Sequence, residues 1–214
     1  HLSAARNAGI AIAKGEWIGL PDAGCWYATA LLAHLEKRFR CTDPLSGAAV
    51  RWVEAGDPPL TAPALTWARS RVFRDIPVAS FMLFFHRKLF DEIGGFDCQL
   101  GVGLWFGAAE ETDLVLRALR KGALLTYEPS AQVHHPVKKP PPSRETRLAI
   151  RHRARGAGAL YVKHDLPLWV IARGLGAPVL RPLLKGALGS ELAYGFAVML
   201  GRFEGLMGWN RRRQ

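Results

Sequence analysis

The sequence predicts an α/β protein, a mixed sheet covered by helices and followed by a basic helical region. Three observations carry that prediction. Short apolar runs alternate with amphipathic stretches as far as about residue 135, the pattern of strands interleaved with helices. Glycine and proline fall between these runs as stops. The charge is divided just as sharply: residues 1–135 hold 14 Lys+Arg against 14 Asp+Glu, whereas residues 136–214 hold 15 against 4, so the whole net charge of +11 lies in the second stretch. With 214 residues, 49% of them apolar, the chain has the makings of a sizeable core and is not disordered.

The elements follow in order. Ser3 to Lys14 has helical apolar spacing and stops at Gly15, after which Trp17 to Leu20 reads as a buried strand. Tyr27 to Phe39 predicts a second helix, Ala48 to Val53 a strand, and Asp57 to Thr66 a Pro-rich loop. Ala79 to Phe85, a dense apolar run, predicts a central strand. Arg87 to Ile93 makes a short helix closed by Gly94-Gly95. Thr112 to Lys121 is amphipathic and stopped by Gly122, and Leu124 to Tyr127 and Ala131 to His134 read as short strands. Pro136 to Ser143 has the composition of a stiff extended linker. The segments are therefore 1–135, a catalytic-looking domain; 136–143, the linker; and 144–214, a basic amphipathic helical tail.

Cys25, Cys41 and Cys98 are odd in number and widely spaced, which points neither to a disulfide framework nor to a zinc site and makes a reducing, cytosolic compartment the default. The chain opens at His1 without a charged-then-apolar leader and enters directly into a helix, so an N-terminally truncated chain is expected.

Two acidic positions stand out. The strand at Trp17 to Leu20 runs out at Asp22, and in open α/β sheets ligands sit beyond the carboxyl ends of strands. A strand-ending turn acid is the equal alternative. Further on, Glu110-Glu111-Thr112-Asp113 opens a helix, where the macrodipole also favours carboxylates; Arg117 lies one turn beyond Asp113, within ion-pair reach.

These residues sit in an ordered set: Leu-Ser-Ala-Ala-Arg-Asn-Ala-Gly-Ile, Gly-Glu-Trp-Ile-Gly-Leu-Pro-Asp, Gly-Gly-Phe-Asp, Glu-Glu-Thr-Asp-Leu-Val-Leu-Arg and Pro-Ser-Ala-Gln-Val-His-His. In that order and spacing they resemble the family 2 inverting glycosyltransferases with the GT-A fold, over roughly residues 1–135. The resemblance implies a GT-A-type mixed sheet, incomplete at the N-terminus because the family's first strand and uracil-contacting segment precede His1. It implies a nucleotide-sugar donor bound through its diphosphate and a divalent cation, Mg²⁺ or Mn²⁺, and a base that takes the acceptor's proton.

The resemblance also assigns residues. The family's Asp-x-Asp positions fall on Asp22, Ala23 and Gly24, where only the first acid is kept, so a metal would rest on Asp22, the diphosphate and a histidine. The family's Glu-Asp pair aligns with Glu110 and Glu111, Glu111 taking the base position. His134 and His135 end a strand near the metal; alternation sends them to opposite faces, and His135 is the preferred ligand. Arg6 and Asn7 lie where the family's helix approaches the donor nucleotide. Asp113 and Trp105, the latter beside Phe106 on a Gly-rich segment, are acceptor-side candidates; a helix-start acid and a core aromatic are their plain alternatives.

In the tail, Arg173, Arg181, Lys185, Glu191 and Arg202 interrupt the apolar runs before any reaches the roughly 18 uncharged residues of a spanning helix. A helix lying on an anionic membrane surface fits the pattern, since basic residues flank apolar faces. No nucleic-acid recognition motif accompanies the charge, so nucleic acid is not the expected partner. Packing of the tail on the domain or on a second subunit, a homo-oligomer, is the other reading. The sequence thus predicts an inverting glycosyltransferase with a lipid-linked or glycan acceptor, peripheral on the cytoplasmic face of the membrane. The alternative is a non-catalytic relative that binds without turnover, motivated by Ala23 and Gly24.

Overall fold

The computed structural model describes residues 1–39, 45–55, 64–74, 76, 79–137 and 141–213. Cys41, most of the expected Pro-rich loop (56–63), the middle of the linker (138–140) and the side chains of Arg212 and Arg213 lie outside the described residues. The chain divides into two compact units. A sheet unit comprises Arg6–Phe96 and Glu111–Lys138; a helical unit comprises His1–Ala5, Asp97–Glu110 and Lys139–Gln214. The Gly-rich segment before Glu110 therefore belongs with the tail's helices.

In chain order the elements are α1 (Leu2–Ile12), β1 (Trp17–Gly19), β2 (Trp26–Tyr27), α2 (Leu31–Phe39), β3 (Ser46–Trp52), β4 (Ala64–Leu65), α3 (Trp67–Ser70), β5 (Leu83–His86), α4 (Arg87–Ile93), α5 (Glu110–Arg120), β6 (Leu124–His134), α6 (Arg144–Lys163), α7 (Leu168–Leu184) and α8 (Ser190–Arg213). Protein class is as expected: mixed α/β, with a mixed sheet and helices.

The sheet runs β1-β5-β3-β6-β2, with β4 also on β6; only the β3–β6 pair is parallel. Its centre is apolar on both faces, and the alternation along each strand feeds two cores. Ala49, Leu83 and Phe85 join Ile18, Leu89, Leu114 and Val115 on one face. Ala48, Val50 and Phe84 join Leu31, Leu35 and Val133 on the other. Burial of these side chains is the main stabilising term, roughly 2 kcal/mol for each large one fully buried.

Four elements differ from the sequence reading. The stretch expected as a Pro-rich loop ends in β4, where Ala64 and Leu65 pair with Thr126 and Leu125 of β6. Tyr27 pairs with Val133 in β2, so the second helix starts only at Leu31. The apolar run from Ala79 begins as a 3₁₀ turn, Ser80–Met82, before β5. The two strands expected after Gly122 are one, β6, whose register against β3 jumps between Val50 and Arg51, opposite Glu128 and Gln132. Pro129 lies in that jump, and a residue with no N–H is most easily placed where the ladder is interrupted.

Local chemistry sets the helix ends. His86 Nδ1 accepts the Lys88 amide at 3.2 Å to cap α4, which ends at Gly94 with φ of 73°, a conformation that favours glycine. Asp113 is wholly buried, and Arg117 Nε donates to it at 2.8 Å. The same guanidinium donates to the Gly95 carbonyl at 2.6 Å and to that of Ile93, so it ties α5 to the end of α4.

In the helical unit α6 and α8 touch backbone to backbone. A Cβ added at Gly201 or Gly205 would collide with the carbonyl oxygens of Arg151 and Arg155, and one at Gly158 with that of Arg202. Glu204 accepts from Arg155 Nε at 2.8 Å and also from Arg151. On α7, Pro178 has no N–H to offer the Gly174 carbonyl one turn back; Arg202 of α8 donates to that oxygen instead, at 2.6 Å. Among the described residues no helix is long and apolar enough to cross a membrane.

Candidate functional site

The strand β1 delivers its chain to a turn in which the Cys25 amide donates to the Asp22 carbonyl at 3.1 Å. The Asp22 side chain is 57% exposed, and its Oδ2 lies 3.5 Å from His135 Nε2. Its other oxygen accepts the Ala23 amide at 2.9 Å. The exposed acid and the imidazole thus meet just past the ends of β1 and β6.

His135 is fixed from several sides. Its ring stacks on Phe81 (centroids 4.7 Å apart, planes 9° apart), the edge of Trp52 approaches it, and Trp52 Nε1 donates to its carbonyl at 2.8 Å. Gly24 faces the same ring: a Cβ there would sit 3.2 Å from His135 Nε2. The space an acid would need is bordered by an imidazole.

His134 goes the other way, as alternation requires. Trp26 stacks on it with 3.7 Å between centroids, and its Nδ1 lies 2.8 Å from Glu54 Oε1. Glu54 Oε2 accepts the His135 amide at 3.1 Å. Desolvation acts to raise the Glu54 carboxyl, but the His135 amide and the His134 ring outweigh it and hold the group below the ordinary carboxylate range. Tyr27 donates to the Phe81 carbonyl at 3.1 Å, and burial first, then Cys25, pushes its phenol upward.

A second cluster abuts the same 3₁₀ turn. Arg6 donates to Glu111 Oε1 at 3.2 Å and to Ser80 Oγ at 2.6 Å, and its guanidinium lies over the Phe96 ring. Both members of the Arg6–Glu111 pair keep some contact with solvent. Ser80, which touches Arg6, and Phe81, which stacks on His135, are adjacent residues. Asp22, His135, Arg6 and Glu111 are thereby brought around one turn of the sheet unit.

The remaining candidates are placed differently. Glu110 is 2% exposed and belongs to the helical unit, where its carboxyl packs against the Gly101 turn. Asn7 uses its amide on the backbone of Phe96, accepting at 2.7 Å and donating at 2.8 Å, so it pins α1 to the Gly94-Gly95 turn. Asp113 holds Arg117, and a wholly buried carboxylate has no face to offer an acceptor. Trp105 lies in the helical unit, with the Arg155 guanidinium 4.6 Å above its ring.

Sequence reasoning missed Ser80, Phe81, Trp52, Tyr27 and Glu54. Only the two aromatics flanking β2 and β3 leave a trace in the sequence, as bulky residues at strand ends. For a metal, Asp22 and His135 offer two adjacent donors, and no group of three or more His, Cys, Asp or Glu is assembled among the described residues. That set fits Mg²⁺ or Mn²⁺ held mainly by substrate, since such ions are commonly bound through one or two carboxylates plus phosphate oxygens. No family model matches this chain, and no curated protein matches it.

Proposed function

We propose that this chain is a GT-A-type glycosyltransferase. It moves a sugar, with inversion, from a nucleotide-diphospho-sugar to the hydroxyl of a lipid-linked or glycan acceptor in envelope polysaccharide or glycolipid synthesis. The observation that carries the reading is the convergence of three distant motifs on Ser80 and Phe81: the first helix through Arg6, the acidic helix through Glu111, and the strand ends through Asp22 and His135.

Glu111 is the base. Its carboxylate, oriented by the Arg6 guanidinium, accepts the proton of the acceptor hydroxyl as that oxygen forms its bond to the anomeric carbon. The bond from that carbon to the diphosphate breaks on the opposite side, and the nucleoside diphosphate leaves. Backside displacement accounts for the inversion. Glu110, lacking access to an acceptor, is left out of proton transfer. Mg²⁺ or Mn²⁺ at Asp22 and His135 would supply neutralising charge to the leaving diphosphate. The basic tail, with 15 Lys+Arg against 4 Asp+Glu beyond residue 135, holds the protein on the anionic cytoplasmic leaflet.

The test is release of nucleoside diphosphate from a panel of nucleotide sugars, with and without Mn²⁺, for the unaltered chain and for Glu111→Gln. The variant should bind donor with unchanged affinity by calorimetry yet turn over at least about 100-fold more slowly. Undiminished turnover refutes the role of Glu111; failure of the unaltered chain to bind any nucleotide sugar refutes the whole reading. Gly24, which offers no side-chain oxygen, favours a second reading, a binding protein without turnover: donor would bind and no diphosphate would be released.

A further inference from the structure

We propose that the hairpin of α7 and α8 is a membrane-inserting element whose occupant is an anionic lipid bilayer. This rests on the membrane-peripheral part of the proposed function and is independent of the transferase chemistry. Leu180, Leu183 and Leu184 occupy successive i, i+3 and i+4 positions at the end of α7, and Leu188 continues them into the turn; all four are exposed, Leu184 at 85% and Leu188 at 71%. On α8, Phe196, Leu200, Phe203 and Met207 form a second exposed apolar stripe at i, i+4, i+7 and i+11. Soluble surfaces seldom expose so many large apolar side chains together without a partner.

These residues are not the loose margin of a core. The facing sides of the two helices are already closed: a Cβ at Gly195 would collide with the Pro178 backbone, and Arg202 donates to the Gly174 carbonyl. What remains outside is apolar and cationic apart from Glu191 in the first turn of α8. Between residues 166 and 190 the chain carries Arg173, Arg181 and Lys185 and no acid. Arg181 and Lys185 are exposed one turn apart beside the leucine stripe, and Arg173 lies 5.2 Å from the centre of the Trp169 ring.

This combination selects the occupant. A bilayer of anionic lipid offers acyl chains at the depth of the leucines and phosphates where the longer cationic side chains reach back to the surface. Trp169 is suited to the boundary between them. Among the described residues no helix is long and apolar enough to span; an amphipathic hairpin of this kind lies in one leaflet.

The experiment is vesicle flotation of the full chain, without donor or acceptor, on phosphatidylcholine alone and on phosphatidylcholine containing phosphatidylglycerol. Binding should require the anionic lipid and weaken with salt. Leu184→Ser with Leu188→Ser should lower partitioning about 100-fold, roughly tenfold for each leucine withdrawn from acyl chains. Arg181→Gln with Lys185→Gln should lower it about 25-fold, roughly fivefold for each cation. All four side chains are exposed, so circular dichroism should be unchanged, which separates lost docking from lost folding. The proposal is overturned if the leucine variant floats like the parent or if neutral and anionic vesicles bind alike. It is also overturned if the parent ignores vesicles and light scattering finds a dimer that the leucine variant splits, which makes a second copy the occupant. Donor binding, measured separately, reports on the transferase reading whatever the vesicles show.

Discussion

Replacing Arg117 with Met should cost the sheet unit about 3 kcal/mol of stability. The estimate comes from what the guanidinium leaves behind. Asp113 is wholly buried and would lose the Nε donor at 2.8 Å; its carboxyl then either stays charged in an apolar setting or takes up a proton, and both outcomes cost stability. Removing one partner of a buried pair costs about 3–5 kcal/mol, and the lower end applies because the Arg117 side chain is partly open to water, which can enter in its place. The carbonyls of Ile93 and Gly95 lose a donor too, but they lie at a helix end where water substitutes. Urea unfolding followed by circular dichroism reads the loss as a lower midpoint at unchanged slope. The double variant Asp113→Leu with Arg117→Met removes the buried carboxyl together with its donor and should recover part of the loss, giving a coupling above about 1 kcal/mol. A loss under about 1 kcal/mol for the single variant, the range of solvent-exposed pairs, would refute the clamp. So would simple additivity in the double variant. Glu111 rides on the same helix, so under the proposed function sugar transfer should fall along with stability.

Two glycines should respond in opposite directions. Gly205→Val drives a side chain into the Arg155 carbonyl and should cost about 2 kcal/mol in the urea transition. Gly9→Ala meets nothing within 4 Å and should gain about 0.7 kcal/mol by the same measurement. Acid should expose Glu128. Burial acts to raise this carboxyl, but hydrogen bonds from His34, Thr126 and Arg38 outweigh it and hold it below its ordinary 4.5. The group therefore adds stability above about pH 4.5, and that contribution disappears as pH falls through the lowered folded-state value. Glu128→Gln should flatten the dependence of the unfolding midpoint on pH there; an unchanged slope refutes the assignment.

The fold was readable where local residues decide it. α4 ends at Gly94 because the φ of 73° there favours a glycine, and both facts are local. Tyr27 was misread because its partner Val133 is distant in the chain, and pairing with β6 overrides any helical tendency. The apolar run from Ala79 carries no period that separates a strand from a 3₁₀ turn, so Ser80 and Phe81 could not be singled out. Motif order pointed to Asp22, His135, Arg6 and Glu111, whereas Phe81, Trp52 and Glu54 come to His135 only through tertiary packing. Asn7 and Asp113 show why residue type alone is weak evidence. An amide or a carboxylate suits a ligand and a backbone clamp equally, and only burial and partners tell the two apart.

The glycine at position 24 has a consequence for descent as well as for chemistry. A Cβ at position 24 would already lie 3.2 Å from His135 Nε2, so any residue larger than glycine there requires the ring to give way by a few tenths of an ångström. In related chains a larger residue at 24 should come with a smaller or turned side chain at 135, and the two positions should vary as a couple.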